Sequence, residues 1–330
     1  VPSEVHVYDA KGEKLRGWKV GFAAQAINIG PNGNVFVAGS GKLAEYTPTG
    51  SLLHELDLPH LEAILKNQDE LNKRAEEQLQ SERESYKEMI AQLRKEVETL
   101  EKKEADKLSN QEKAQLRAYK MNLKAYEQQA KALEKRTVKD AVKEVTARLR
   151  IVNAVAVTDQ DIFIAGGEAK GYGYAVWRMN REFKDSKQVL SGLGGCCGQM
   201  DIQAQGNKLF VAENTRHRVG VYDRDGKRLT SFGKKGRDGD PECFGSCCNP
   251  MNCRIAADGS IFTAESEGHI KRFAADGKLI GPVGSAKLTG GCKNVAVAVS
   301  ADGATVYFCD QPGSRIIVLT KKSTVVQREE

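Results

Sequence analysis

"LFVAENTRHRVGVYDRDGKRLTSFG", residues 209–233, alternates apolar and polar residues, breaks at a corner, alternates again, turns at Asp225-Gly226 and then alternates a third time. Period-two alternation marks a strand with one buried face, and Asp-Gly between two such runs marks a hairpin turn. The stretch therefore encodes three antiparallel strands in a row. It recurs as "IFTAESEGHIKRFAADGKLIGPVG" (261–284), and more loosely as "VFVAGSGKLAEYTPTGSLLHEL" (35–56) and "VYFCDQPGSRIIVLT" (306–320). "IFIAGGEAKGYGYAVWRMNREF" (162–183) is a fifth, diverged copy. Ahead of each copy lies another short alternating run: "AAQAINI", "IVNAVAV", "CCGQMDI", "NCRIAAD" and "CKNVAVAV". Four short strands in about every 40–50 residues is the period of a propeller blade.

"ENTRHRVGVYDRDGKRLTSFGKKG" (213–236) resembles an NHL repeat, whose usual form has an Asn-His-Arg-Val-like corner and a Phe-Asp-x-Asp-Gly turn. The resemblance covers 194–285, 20–58 and 287–320 and leaves out 60–148. It implies a mainly β fold, an NHL-like β-propeller of five or six blades with the first strand of each blade lining a central channel. It leaves function open, because such propellers serve as enzymes, sensors and docking platforms. Five inner strands favour five blades. "VHVYDAKGEKLRGW" (5–18) matches the third and fourth strands of a blade and suggests a sixth, partial one. Terminal strands are expected to close the ring, which removes exposed sheet edges. The expected organisation is propeller over 1–59, an insertion over 60–148, and the remaining blades over 149–330.

The insertion has a different pattern. "LRKEVETLEKKEADKLSNQEKAQLRAYKMNLKAYEQQAKAL" (93–133) has no Gly, Pro or Cys. Tyr86, Ile90, Leu93, Val97 and Leu100 are spaced 4-3-4-3, and Leu116, Tyr119, Leu123, Tyr126, Ala130 and Leu133 continue the rhythm. Such spacing makes a narrow apolar seam on each of two helices. "SNQE" at Ser109–Glu112 has the capping-box form, so a helix, a turn near Asp106–Asn110 and a returning helix are expected. The reading is a long antiparallel α-helical coiled-coil hairpin inserted after the first blade. Its seams point to a homo-oligomer through the arm, or to docking of a redox partner protein.

Charge and hydropathy bear on two classes of partner. Between His60 and Arg148, 20 Lys and Arg stand against 18 Asp and Glu, and the +6 of the whole chain is diffuse. No basic stripe suited to phosphates results, so nucleic acid is not an expected partner. No apolar run reaches the ~18 residues of a membrane-spanning helix.

All eight cysteines fall between 196 and 309. Cys196, Cys197, Cys247, Cys248, Cys253 and Cys292 lie just before or early in an inner strand, and Cys243 lies in the loop leading to Cys247. Cys309 stands where the other copies have Ala38, Ala165, Ala212 and Ala264. Three consecutive blades thus direct thiols toward one channel mouth, while the first two use "AAQA" and "IVNA" at that point. Thiolate clusters with few histidines suit an iron–sulfur cluster, with Cu(I) or zinc as alternatives. All eight cysteines are candidate metal ligands, and electron transfer or redox sensing is the expected function. The Cys-Cys-Gly of 196–198 is similar to the motif by which the cysteine-rich domain of heterodisulfide-reductase-type proteins ligates an iron–sulfur cluster. The competing reading is an exported or periplasmic, disulfide-stapled protein-binding scaffold without catalysis. Gln25, Asn153, Gln199, Asn252 and Asn294 place an amide near each inner-strand start. They are expected to satisfy channel backbone groups, and Gln199, Asn252 and Asn294 to contact the cofactor as well. Glu213, Glu265 and Asp310 follow the second strand and are expected to serve the corner's own hydrogen bonds.

Overall fold

A computed structural model describes residues 3–103, 108–168, 173–195, 199–236, 240–246, 248–288 and 295–321. The chain forms two compact units, 1–62 with 149–330, and 63–148.

The first unit is built of antiparallel meanders. Strands β1 (Ser3–Tyr8) and β2 (Lys14–Val20) make a hairpin, and β3 (Ala26–Ile29), β4 (Val35–Gly39), β5 (Lys42–Tyr46) and β6 (Leu52–Asp57) make a four-stranded sheet. The second sheet holds β7 (Val152–Val157), β8 (Asp161–Gly167), β9 (Tyr174–Asn180) and β10 (Lys187–Leu193). The third holds β11 (Asp201–Gln205), β12 (Lys208–Glu213), β13 (Arg218–Asp223) and β14 (Arg228–Phe232). A short parallel pair, β15 (Lys234–Lys235) and β16 (Cys243–Phe244), precedes the fourth sheet of β17 (Asn252–Ile255), β18 (Ile261–Ala264), β19 (His269–Phe273) and β20 (Leu279–Ser285). Strands β21 (Ala296–Val299), β22 (Thr305–Asp310) and β23 (Arg315–Thr320) form a three-stranded fifth sheet.

The innermost strands touch in the order β3, β7, β11, β17, β21, which sets the sheets side by side around a common channel. This is the β-propeller arrangement. Neighbouring sheets bury their faces against each other. Val211 joins Ala156, Phe163 and Ile202 between the second and third sheets, while the adjacent Phe210 and Ala212 join Cys253 and Ile261 between the third and fourth. Phe262 and Ala264 then meet Val297 and Phe308 of the fifth sheet. Successive side chains of a strand leave on opposite faces, so a strand enclosed by two neighbours is apolar throughout. Each large side chain buried this way contributes roughly 1.5–3 kcal/mol. The outer strand β14 has solvent beside it and is mostly exposed. The turn Asp223–Gly226 shows why its last residue is glycine: φ is +89°, and a Cβ there would meet the carbonyl of Val189.

The second unit is helical. Helix α1 (Pro59–Lys66) leads from the first sheet, and α2 (Gln68–Glu101), α3 (Asn110–Glu134) and α4 (Val138–Leu149) follow. Lys120 pairs with Glu101 at 2.6 Å, Glu127 with Arg94 at 2.7 Å, and Gln129 accepts from the Tyr86 hydroxyl at 3.0 Å. Partner numbers rise on one helix as they fall on the other, so α2 and α3 are antiparallel. The seam residues Ile90, Leu93, Leu116 and Leu123 are half-buried, and Val97 and Leu133 are buried. Ser109 caps α3 in the expected capping box with Glu112. The turn proposed at Asp106 falls outside the described residues. The helical segment has two further breaks that the seam pattern did not reveal. Asn67 accepts from the Glu70 amide at the start of α2, and Thr137 with Asp140 caps α4. Asn and Thr stop one helix and start the next because their side chains satisfy amides that lack an intrahelical partner.

Replacing 62–147 by a short Gly-Ser loop is expected to remove most of the helical circular dichroism and leave a cooperative β transition. Loss of the β transition would show that the sheets depend on the helical unit.

Candidate functional site

The channel is the candidate site, and its walls are laced by side chains. Gln25 accepts from the Val152 amide at 2.9 Å, and Asn28 donates to the Val155 carbonyl at 2.7 Å, joining the first sheet to the second. Asp201 accepts from the Cys253 amide at 2.8 Å and from Arg254 at 2.9 Å, joining the third sheet to the fourth. Asn252 accepts from the Val297 amide at 3.1 Å, joining the fourth to the fifth. Gln199 donates to the Val295 carbonyl at 2.6 Å and accepts from its amide at 3.1 Å. Among the described residues the innermost strands have no partner strand on the channel side, so their amides and carbonyls take these side chains instead. Gln199 and Asn252 are thus engaged with backbone, and Asn294 lies outside the described residues. Sequence reasoning missed Asn28 and Asp201. A carboxylate in the apolar run "MDIQA", with Arg254 in the matching run of the next blade, was the available signal. Burial pushes Asp201 above the usual carboxylate range, against the pull of Arg254.

One end of the channel opens into a cavity of about 530 Å³ lined by Gln25, Asn153, Gln199, Asn252 and Gln311 among others. The other end opens into a cavity of about 650 Å³ whose wall is largely apolar. Cys309 borders both.

The four described cysteines occupy separate settings. Cys196, Cys197, Cys247 and Cys292 lie outside the described residues. Cys248 is in a disulfide and is wholly buried between the fourth and fifth sheets. Its partner is none of Cys243, Cys253 and Cys309, which are free. Cys253 was expected at the channel mouth. Its side chain instead enters the apolar core between the third and fourth sheets, because an odd step along β17 reverses the face. Burial pushes that thiol well above its usual value. Cys243 donates to Asp240 at 3.1 Å, which raises its thiol as well. Cys309 pairs in register with Ala296, as Ala38, Ala165, Ala212 and Ala264 pair with their own inner strands. The residue is exposed overall, yet partial desolvation of its sulfur, and then the Asp310 carboxylate, raise its thiol. Among the described residues, no three His, Cys, Asp or Glu side chains group closely enough to hold a metal.

The corner acids serve the corners. Glu213 is buried and accepts from Tyr222 at 2.8 Å, Arg218 at 2.8 Å and Arg216 at 2.9 Å. Asp310 accepts from Arg315 at 2.9 Å. Glu265 meets the buried Lys271 ammonium at 2.8 Å, and Lys271 also donates to the Cys243 carbonyl and lies 5.1 Å from the Phe244 ring centre. His217 sits at φ 53° and closes the third sheet's corner with its amide on the Asn214 carbonyl.

Fold and channel together define a mainly-β protein of the β-propeller type. No protein-family profile and no curated protein matches the chain. Among solved structures it is similar to a functionally unknown protein from Desulfotomaculum acetoxidans, at 12% identity and TM-score 0.46 over 97% of this chain and 72% of that one. It is also similar to the Pan2 WD40 domain of Neurospora crassa, at 10% identity and TM-score 0.46 over 97% and 70% of the two chains. The β-propeller domain of Cps50 (Swd1) from Myceliophteria thermophila matches at 10% identity and TM-score 0.42, over 97% and 80%. All three are distant, and the propeller rests on the sheet order and register of this chain itself.

Burial pushes Glu213 up, but Arg218, Tyr222 and Arg216 outweigh it and hold the carboxyl below its ordinary 4.5. A carboxyl lowered on folding contributes stability that is fully present above pH 4.5 and lost as pH falls through the folded-state value. Glu213→Gln is expected to cost about 2–3 kcal/mol in urea unfolding at pH 7. The difference from wild type should shrink as the measurement moves to pH 3.5.

Proposed function

We propose that the chain is a non-catalytic, disulfide-stapled NHL-type propeller scaffold that binds other polypeptides, with its antiparallel helices as a coiled-coil oligomerisation arm. The observation that carries this reading is Cys248, whose sulfur is in a disulfide buried between two sheets. Cys253 packs in an apolar core and Cys243 is held by Asp240, so three of the eight expected thiolate ligands have other roles. An iron–sulfur, Cu(I) or zinc centre on these residues would need Cys248 reduced and Cys253 turned out of its core. The polar side chains that converge on the channel are largely engaged with strand backbone, which suits a rigid binding ring better than general acid–base chemistry. A persistent disulfide accords with an exported or periplasmic setting. In this reading the ring has six blade positions, five given by the sheets and the sixth begun by β1 and β2.

Denaturing the unreduced protein in an alkylating reagent is expected to label Cys243, Cys253 and Cys309 and to leave Cys248 unlabelled until reduction. Cys248→Ser is expected to lower stability by about 2–4 kcal/mol. Stoichiometric iron with acid-labile sulfide in anaerobically purified protein, lost in the Cys196→Ser/Cys197→Ser variant, would overturn the scaffold in favour of the iron–sulfur centre.

The seams on α2 and α3 are narrow and half-buried, and long helices with narrow seams gain most of their stability from packing on further helices. Light scattering should give an oligomer for the intact chain and a monomer when 62–147 is replaced by a Gly-Ser loop. A monomeric intact chain would exclude self-association through the arm.

A further inference from the structure

One level of the channel carries a charge that the repeat does not require. Asn28, Ala156, Gln203, Arg254 and Ala298 hold the same place in their five sheets. Each pairs with an aromatic residue of the second strand, in turn Phe36, Phe163, Phe210, Phe262 and Tyr307. Only the fourth sheet has an ion there, so the strands pair at this level without one. Among the described residues Arg254 is also the one cation lining the 530 Å³ and 650 Å³ cavities, and it borders both.

The side chain is held so that part of its hydrogen-bonding capacity stays open. A guanidinium has N–H groups on three nitrogens. Nη1 donates to the Asp201 carboxylate at 2.9 Å and to the Cys253 carbonyl at 2.7 Å. Nε and Nη2 have no acceptor among the described residues, and the side chain is 22% exposed. Those two nitrogens form an edge that takes a carboxylate through two parallel hydrogen bonds. Asp201 fixes the plane of the fork, because it also accepts from the Cys253 amide at 2.8 Å, one residue before Arg254 on the same strand. Beyond the fork the wall of the larger cavity is mainly apolar, with Val157, Ile255 and Val299, and among the described residues it carries no second charge. Its 650 Å³ falls within the about 300–1,000 Å³ of pockets that enclose small organic ligands.

We propose that the channel binds a small organic acid with one carboxylate and an unbranched apolar tail. The carboxylate sits on the Nε–Nη2 edge of Arg254 and the tail runs along the apolar wall. Arg254 already shares its charge with Asp201, so a singly charged acid suits the site. A phosphate dianion would bring a further charge into the channel with no cation to meet it. Burial pushes Asp201 above the usual carboxylate range, which lightens its repulsion of the incoming acid. The inference goes beyond the scaffold reading and depends on neither the disulfide nor the helical arm.

The probe is decanoate, titrated calorimetrically into the full chain at neutral pH and below its micellar concentration. Saturable binding is expected, about tenfold or more tighter than that of decan-1-ol, which lacks the charge, or of acetate, which lacks the tail. Arg254→Gln should abolish decanoate binding, and Arg254→Lys should weaken it, because an ammonium cannot make the fork. Asp201→Asn keeps an acceptor for the Cys253 amide and removes the competing charge, so it should tighten decanoate several-fold and leave decan-1-ol unchanged. Ala298→Phe, at an exposed position of the cavity wall, should weaken decanoate while leaving the β circular dichroism intact. No binding of decanoate, or equal affinity for decanoate and decan-1-ol, would overturn the proposal. A fold lost in Arg254→Gln together with decanoate binding unchanged in Asp201→Asn would overturn it in favour of a brace between sheets. Tighter binding of inorganic phosphate than of decanoate would overturn it in favour of a phosphate site.

Discussion

Face-to-face burial of neighbouring sheets is the constraint on which the propeller unit depends. Phe210, Val211 and Ala212 leave one strand toward alternating sides and enter two different cores. Ile261 and Phe262 do the same one sheet later. Each of the second, third and fourth sheets therefore buries both faces against neighbours, and Ala38, Ala165, Ala212 and Ala264 on the second strands are fully buried. Between the first and fifth sheets, among the described residues, Ile27, Ile29, Ile316 and Val318 are exposed.

Backbone polarity is the second requirement. An inner strand pairs on one edge only, and its channel-side amides and carbonyls are satisfied by Gln25, Asn28, Gln199, Asp201 and Asn252. These side chains span neighbouring sheets, so they brace the ring at the place where ligands would enter. A ligand at that end would meet a wall that is already hydrogen-bonded, which favours shape and apolar complementarity at the opposite end.

Sulfur illustrates how one residue type takes several roles. Cys248 ties the interior, Cys253 fills a core position as a small apolar side chain, Cys243 anchors a loop through Asp240, and Cys309 stands on an open wall. Proximity in the repeat suggested a common destination for all of them. They sit on different elements, and on β17 moving one residue along the strand exchanges its two faces, which sends Cys253 into a core.

Local spacing alone specified the strand repeat, the corner chemistry of Glu213 and Asp310, the capping box at Ser109 and two long antiparallel helices. Each follows from local spacing: period two, a turn dipeptide, a four-residue cap and a 4-3 seam. It also offered the amides as partners for channel backbone, since their recurrence at one repeat position implied a shared task. The helix breaks at Asn67 and Thr137 were legible in their caps but hidden by a continuous helical composition. Long-range packing settled which settings Cys243, Cys248, Cys253 and Cys309 take and that Asp201 reaches the next sheet, and it left Ile27, Ile29, Ile316 and Val318 exposed among the described residues. Those outcomes depend on which sheets become neighbours and in what register, and pairing between residues far apart in the chain leaves no signature in local spacing.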